Sequence, residues 1–108
     1  MPGPLSDIRI LDFTRARQGP FATLLLADMG AEVLKVEPPG GEMGRATGLG
    51  PDGFSSYFEG HNRGKRSITL DMRKPQAIAV VRRLVPAVDV VVENFRPGVM
   101  ERWELGYE

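Results

Sequence analysis

The sequence predicts an α/β protein: a parallel sheet with flanking helices. Three observations carry that prediction. Short runs rich in Val, Ile and Leu recur, at residues 8–13, 32–37, 67–71 and 88–93. Stretches with helical spacing lie between members of each pair. The order is therefore β-α-β, a long connection, then β-α-β, which implies parallel strands joined by right-handed crossovers.

The first run is almost continuously apolar (Ile8, Ile10, Leu11, Phe13), as expected of a strand covered on both faces. A polar loop follows, Thr14-Arg15-Ala16-Arg17-Gln18-Gly19, and Pro20 suits the first position of a helix. Phe21, Leu24, Leu25 and Met29 recur at helical spacing, and Gly30 supplies a left-handed cap. Val33, Leu34 and Val36 mark the second strand, stopped by Pro38-Pro39-Gly40-Gly41. From there to about Arg66 no period is visible apart from a hint of a helical turn over residues 55–59. A long irregular connection in a compact domain usually serves a site. Ser67 to Asp71 alternates like a strand, and Pro75 opens a helix striped by Ala77, Ile78, Val81, Leu84 and Val85. Val88, Val90, Val91 and Val92 mark the strongest strand, and a short helix starts near Val99.

Composition removes several function classes. The chain has 108 residues, enough for one domain or a piece of one, with 42% hydrophobic and 26% charged residues. Lys plus Arg and Asp plus Glu both number 14, so no global basic field for nucleic acid exists. With no Cys, disulfides, thiolate metal sites and Cys nucleophiles are excluded, which suits a reducing, cytoplasmic setting. The longest apolar stretch, residues 21–27, is too short to span a bilayer, and the first residues lack the pattern of a secretory signal. The expectation is no nucleic acid, no membrane and no metal.

In parallel sheets, ligands gather at the carboxyl ends of the strands. Cations recur after three of those ends: Arg15 and Arg17, then Arg73 and Lys74, then Arg96 and Arg102. Arg15 and Arg17 also stand beside a helix N-terminus, where free N–H groups attract anions. The cluster His61-Asn62-Arg63-Gly64-Lys65-Arg66 could meet phosphates or be a solvated face. Glu37 could hold ribose hydroxyls or be solvated, and Asp12 reads as structural or solvated. Gly48 to Gly53 spells G-x-G-x-x-G but follows no strand and opens no helix, so it is not a dinucleotide fingerprint. The first strand–helix turn lacks that fingerprint too, which disfavours a nicotinamide or flavin oxidoreductase.

Several strings, taken together, resemble the opening part of the family III coenzyme A transferases, a family that also includes acyl-CoA racemases. They include Ile10-Leu11-Asp12-Phe13-Thr14, Leu26-Ala27-Asp28-Met29-Gly30-Ala31-Glu32-Val33 and Lys35-Val36-Glu37-Pro38-Pro39-Gly40. Asn62-Arg63-Gly64-Lys65-Arg66-Ser67 and Glu93-Asn94-Phe95-Arg96-Pro97-Gly98-Val99-Met100 continue the match. The resemblance implies that residues 1–108 form the N-terminal part of a Rossmann-like large domain, truncated before its catalytic Asp. It implies CoA transfer between carboxylic acids through an aspartyl thioester, with CoA or acyl-CoA as substrate rather than a tightly bound cofactor. It also implies an interlocked homodimer.

By similarity, Arg17 and Gln18 lie near the thiol end of CoA. Leu70, Asp71, Met72 and Arg73 line the nucleotide end, Asn94, Phe95 and Arg96 continue the wall, and Arg102 and Trp103 complete it. No catalytic residue falls within the chain. Pro38 stands where some transferases carry an Arg, and Trp103 departs from a smaller residue. The Ser56-Tyr57-Phe58 string and the glycine-rich loop favour the transferase branch over the racemase branch, which needs a distal acid–base pair. A non-catalytic nucleotide-binding module is the alternative from another class. Four strands with three helices would also leave parts of the sheet uncovered and apolar surface exposed.

Overall fold

Runs of β-branched residues pair into one sheet, as a computed structural model describing residues 3–108 shows. The strands are β1 (Arg9–Asp12), β2 (Glu32–Glu37), β3 (Arg66–Thr69) and β4 (Val90–Val92). All pairings are parallel, in the order β3-β2-β1-β4. That order is the one found in doubly wound folds, with β1 and β4 flanking the point where it reverses. Leu11 stands opposite Leu34 on one side and Val91 on the other.

The pleat divides the core into two layers. Leu11, Phe13, Leu34, Val36, Ile68 and Leu70 face a cluster completed by Met72, Ala77, Val81 and Met100. The last three come from α3 (Pro75–Leu84) and α4 (Val99–Arg102). Fully burying Leu11 and Val81 contributes about 1.5–3 kcal/mol each. Ile10, Val33 and Val92 face the opposite layer, with Ala27 and Leu26 of α1 (Gln18–Asp28). That second layer turns polar toward the strands' carboxyl ends, where Asp12, Thr14, Lys35 and Glu37 are buried.

Local signals act largely as expected. Gly30 takes φ +104 after α1, and Pro75 opens α3. Helix α1 begins at Gln18, so Pro20 is its third residue rather than its first; its missing N–H is still among the unpaired donors of a first turn. The segment read as irregular carries more structure than expected. A 3₁₀ turn occupies Met43–Ala46 and α2 spans Ser56–Asn62. The Ser55 side chain caps α2 by accepting the Phe58 N–H at 2.9 Å. The Gly48 to Gly53 string forms a turn closed by a Leu49–Ser55 bridge, away from the sheet.

Apolar surface is exposed as expected: Phe21 and Leu25 on α1, Met29 just past its end, and Val90 and Val91 on edge strand β4. No helix among the described residues is long and apolar enough to cross a membrane.

Gly19 is required by a close approach. A Cβ placed there would overlap the Cβ and Cγ2 of buried Thr14. Thr14 cannot retreat, because its hydroxyl and N–H are both bound to Asp12. Gly19→Ala is expected to lower stability by about 1–3 kcal/mol through overpacking. Urea denaturation checks this, and an unchanged midpoint would contradict the packing described.

Candidate functional site: a cleft at the carboxyl ends of the strands

The residues just past each strand end converge on one cleft of about 400 Å³. Phe13 and Arg15 come from the end of β1, and Val36 to Pro39 from the end of β2. Leu70 to Arg73 come from the end of β3, and Phe95, Val99 and Trp103 follow β4. The floor is aromatic. Phe95 meets Phe13 edge-on, with centroids 6.2 Å apart, and Trp103 at 5.3 Å. The Arg15 guanidinium lies 4.8 Å from the Phe95 centroid, a cation–π distance. On the opposite rim, Arg73 grips Asp71 through Nε at 2.9 Å and Nη2 at 3.0 Å. Those hydrogen bonds hold the Asp71 carboxyl at about 2 and raise Arg73. The cleft therefore offers stacking faces in its wall and two guanidinium groups at its edges.

Of the residues expected to form the site, Leu70, Asp71, Met72, Arg73, Phe95 and Trp103 come together here. Arg17, Gln18, Asn94, Arg96 and Arg102 do not line it. Arg102 borders a neighbouring groove that shares Arg73 and Trp103 with the cleft. Asn94 is engaged with the backbone of Arg15. Phe13, Val36, Pro39 and Val99 line the cleft without having been singled out. Their signal was alternation: Phe13 and Val36 share a pleat face with the α3 core.

The buried polar residues behind the cleft are corrections to the sequence reading. Lys65, from the basic cluster, is no solvated or phosphate-facing cation. Its Nζ sits 3.1 Å from Asp12 Oδ2, and burial lowers its pKa against the opposing pull of Asp12. Nζ also donates to the Asn62 Oδ1 at 2.8 Å and the Pro20 carbonyl at 3.0 Å. Arg63 pairs with Asp28 at 2.7 Å and Arg66 approaches Glu32 at 3.6 Å, so the cluster is dispersed. His61 Nδ1–H donates to the Tyr57 carbonyl at 2.7 Å.

Glu37 lines the cleft but is not free for ribose. Arg45 binds it bidentately at 2.7 and 2.8 Å, Ser67 donates a further hydrogen bond, and the Glu42 N–H donates at 2.9 Å. Burial alone would raise its pKa; those hydrogen bonds outweigh burial and hold it at about 2. Lys35 Nζ donates to Glu42 Oε1 and Asn62 Oδ1, each at 2.9 Å, and to the Thr14 carbonyl at 3.1 Å. Among the described residues, no buried side-chain N or O lacks a hydrogen-bond partner.

A four-stranded parallel sheet whose strand ends converge on one cleft lined by aromatic rings and guanidinium groups defines an α/β protein with a ligand-sized opening at the carboxyl edge of its sheet. The family model for CoA-transferase family III matches residues 5–108, and the chain belongs to that family. It is 50% identical to the succinyl-CoA–D-citramalate CoA-transferase of Chloroflexus aurantiacus, over 99% of this chain and 27% of that protein. It is 43% identical to the human succinyl-CoA:glutarate CoA-transferase, over 97% of this chain and 24% of that protein. Among solved structures, a CAIB/BAIF family protein from Brucella suis superposes with a TM-score of 0.91 at 39% identity, covering 99% of this chain and 30% of that one. The Rv3272 protein of Mycobacterium tuberculosis gives 0.90 at 47% identity, covering 97% of this chain and 29% of that one. The chain thus spans about a quarter of the length of these curated relatives.

Proposed function

We propose that this chain forms the CoA-binding, N-terminal part of a transferase that moves CoA between carboxylic acids. The observation that carries this reading is the cleft itself: stacking rings and two guanidinium groups gathered at the strand ends by one sheet. Phe95 and Trp103 offer faces to an adenine, Arg15 offers charge to phosphates, and Arg73 offers the N–H groups that Asp71 leaves free. Arg102, in the adjoining groove, extends the cationic rim. Arg17 and Gln18, at the start of α1, stand where the chain leaves the cleft toward the reacting end.

The acyl-carrying carboxylate lies outside residues 1–108 in this reading. Four carboxylates at or behind the cleft are already committed. Asp12 is buried against Lys65, Glu42 against Lys35, Glu37 against Arg45, and both oxygens of Asp71 are taken by Arg73. A carboxylate attacking an activated acyl group needs a free oxygen lone pair aimed at the carbonyl. The carboxylate displaces CoA thiolate from the donor thioester to give a mixed anhydride. The thiolate then attacks the aspartyl carbonyl, releasing the donor acid and leaving an aspartyl-CoA thioester, and the incoming acid runs the two steps in reverse to leave as its CoA thioester. The same reading makes the full-length protein a cytoplasmic homodimer. The exposed Phe21, Leu25 and Met29 stripe suits coverage by a further part of such an assembly.

Calorimetric titration of the full-length gene product with CoA tests the site. Micromolar binding that weakens roughly tenfold or more in Trp103→Ala and in Arg73→Ala is expected. Saturable CoA binding left unchanged by both substitutions would place the ligand elsewhere. Transfer of CoA from succinyl-CoA to a dicarboxylate, followed by mass spectrometry, tests the activity; hydrolysis or isomerisation without transfer would exclude it.

A further inference from the structure

We infer that Asn94 is a positioning residue: it clamps the turn after β1 against the cleft and does not itself touch the ligand. This inference rests on the proposed CoA site. The Asn94 Oδ1 accepts the Arg15 N–H at 3.0 Å, and its Nδ2–H donates to the Arg15 carbonyl at 2.9 Å. One carboxamide thus satisfies both backbone groups of the residue whose guanidinium lies over Phe95.

The neighbouring residues show why such a clamp is needed. Thr14 donates its N–H to Asp12 Oδ1 at 2.8 Å, and its carbonyl accepts from Lys35 Nζ at 3.1 Å. The N–H and carbonyl groups of both Thr14 and Arg15 are therefore held by side chains, drawn from β1, β2 and the residues after β4. Immediately beyond, Ala16 takes φ +71. A residue with a Cβ disfavours that left-handed conformation and keeps it only where the surroundings impose it. Asp12 and Lys35 are buried, and their loss would disturb the whole fold. Asn94 is exposed and bonds only to this turn, so its loss should act locally. The turn leads directly into Arg17 and Gln18, so its conformation sets where the start of α1 stands relative to the cleft.

The test uses Asn94→Ala, Ala16→Gly and the double variant of the full-length protein. CoA affinity is read by calorimetry, and amide hydrogen exchange at Arg15, whose N–H the Asn94 Oδ1 accepts, is read in the ligand-free protein. Asn94→Ala is expected to speed exchange at that amide and to weaken CoA roughly tenfold, with little change in melting temperature. Adding Ala16→Gly should recover most of the affinity, because glycine enters the left-handed region without penalty. A CoA loss that glycine fails to rescue would mean that Asn94 touches the ligand and would overturn the clamp. Unchanged exchange in Asn94→Ala would overturn it as well. If the unsubstituted protein takes up no CoA, the proposed site falls, while the exchange rates still decide the clamp.

Discussion

Lys35→Met is expected to lower folding stability by about 3–5 kcal/mol, the largest effect of any single substitution considered for this chain. The Lys35 side chain is 1% exposed and holds three acceptors from three segments: Thr14, Glu42 and Asn62. Methionine fills similar volume but donates nothing. Asn62 Oδ1 keeps its bond to Lys65, and the buried Thr14 carbonyl loses its Lys35 donor. The severe consequence falls on Glu42, whose buried carboxylate loses its ion-pair partner and keeps only the Gly44 N–H. A domain of this size has only about 5–15 kcal/mol of stability to lose. Pairing Lys35→Met with Glu42→Gln should recover a large part of the loss, since the uncompensated charge is then gone. Urea denaturation of both variants measures this. A single-variant loss below about 1 kcal/mol would show that water reaches the pair and that the interior here is not dry.

Acid should destabilise the protein in part through Glu37. Its carboxyl ionises at about 2 in the folded protein against an ordinary value of 4.5. A depressed carboxyl contributes stability that is fully present above its unfolded pKa and is lost as pH falls toward its folded pKa. The window therefore runs from about pH 5 down to about pH 2, and the amount at stake is about 3 kcal/mol. Asp71 titrates over the same range, but it is solvent-facing beside Arg73 and adds little to stability. Glu37→Gln separates the two. It should be less stable than the parent at pH 7, with more than half of that gap gone by pH 3 and nearly all of it by about pH 2. Parallel stability curves for parent and Glu37→Gln between those pH values would rule Glu37 out as an acid-sensitive group.

Glu37 also shows where reading the chain residue by residue stops. Its position at the end of a strand was legible, and so was the choice between ribose contact and solvation. Neither reading held, because the deciding group is Arg45, which lies in a segment without periodicity. Lys65 is a parallel case. Within a run of basic residues it resembles its solvated neighbours, and only the position of α2 beside α1 brings it to Asp12. The alternation was there to be seen: Asp12 with Thr14, and Lys35 with Glu37, each put two polar groups on one pleat face of otherwise apolar strands. Polar residues repeated on one buried face require partners. The missing information was which loop supplies them.

The candidate site divides in the same way. Arg73 was identifiable because it follows a strand end, and parallel strands send all their carboxyl ends to one rim; Phe95 and Trp103 were named only by the family resemblance. Arg17, Arg96 and Arg102 obey the same rule but stand outside the cleft, since a strand end fixes where the chain emerges and not where a long side chain turns. Asn94 sits at the rim yet spends both its polar groups on Arg15.

By itself, the sequence determined the parallel α/β class, the strand and helix order and the residues that leave each strand toward a shared edge. Those follow from near-neighbour chemistry: pleat alternation, helical spacing, and the backbone habits of proline and glycine. Only the tertiary structure decided that residues 38–65 are ordered by buried ion pairs rather than apolar packing, and which cations face the cleft. Charges reach across space to partners distant along the chain, and no period in the sequence records that distance.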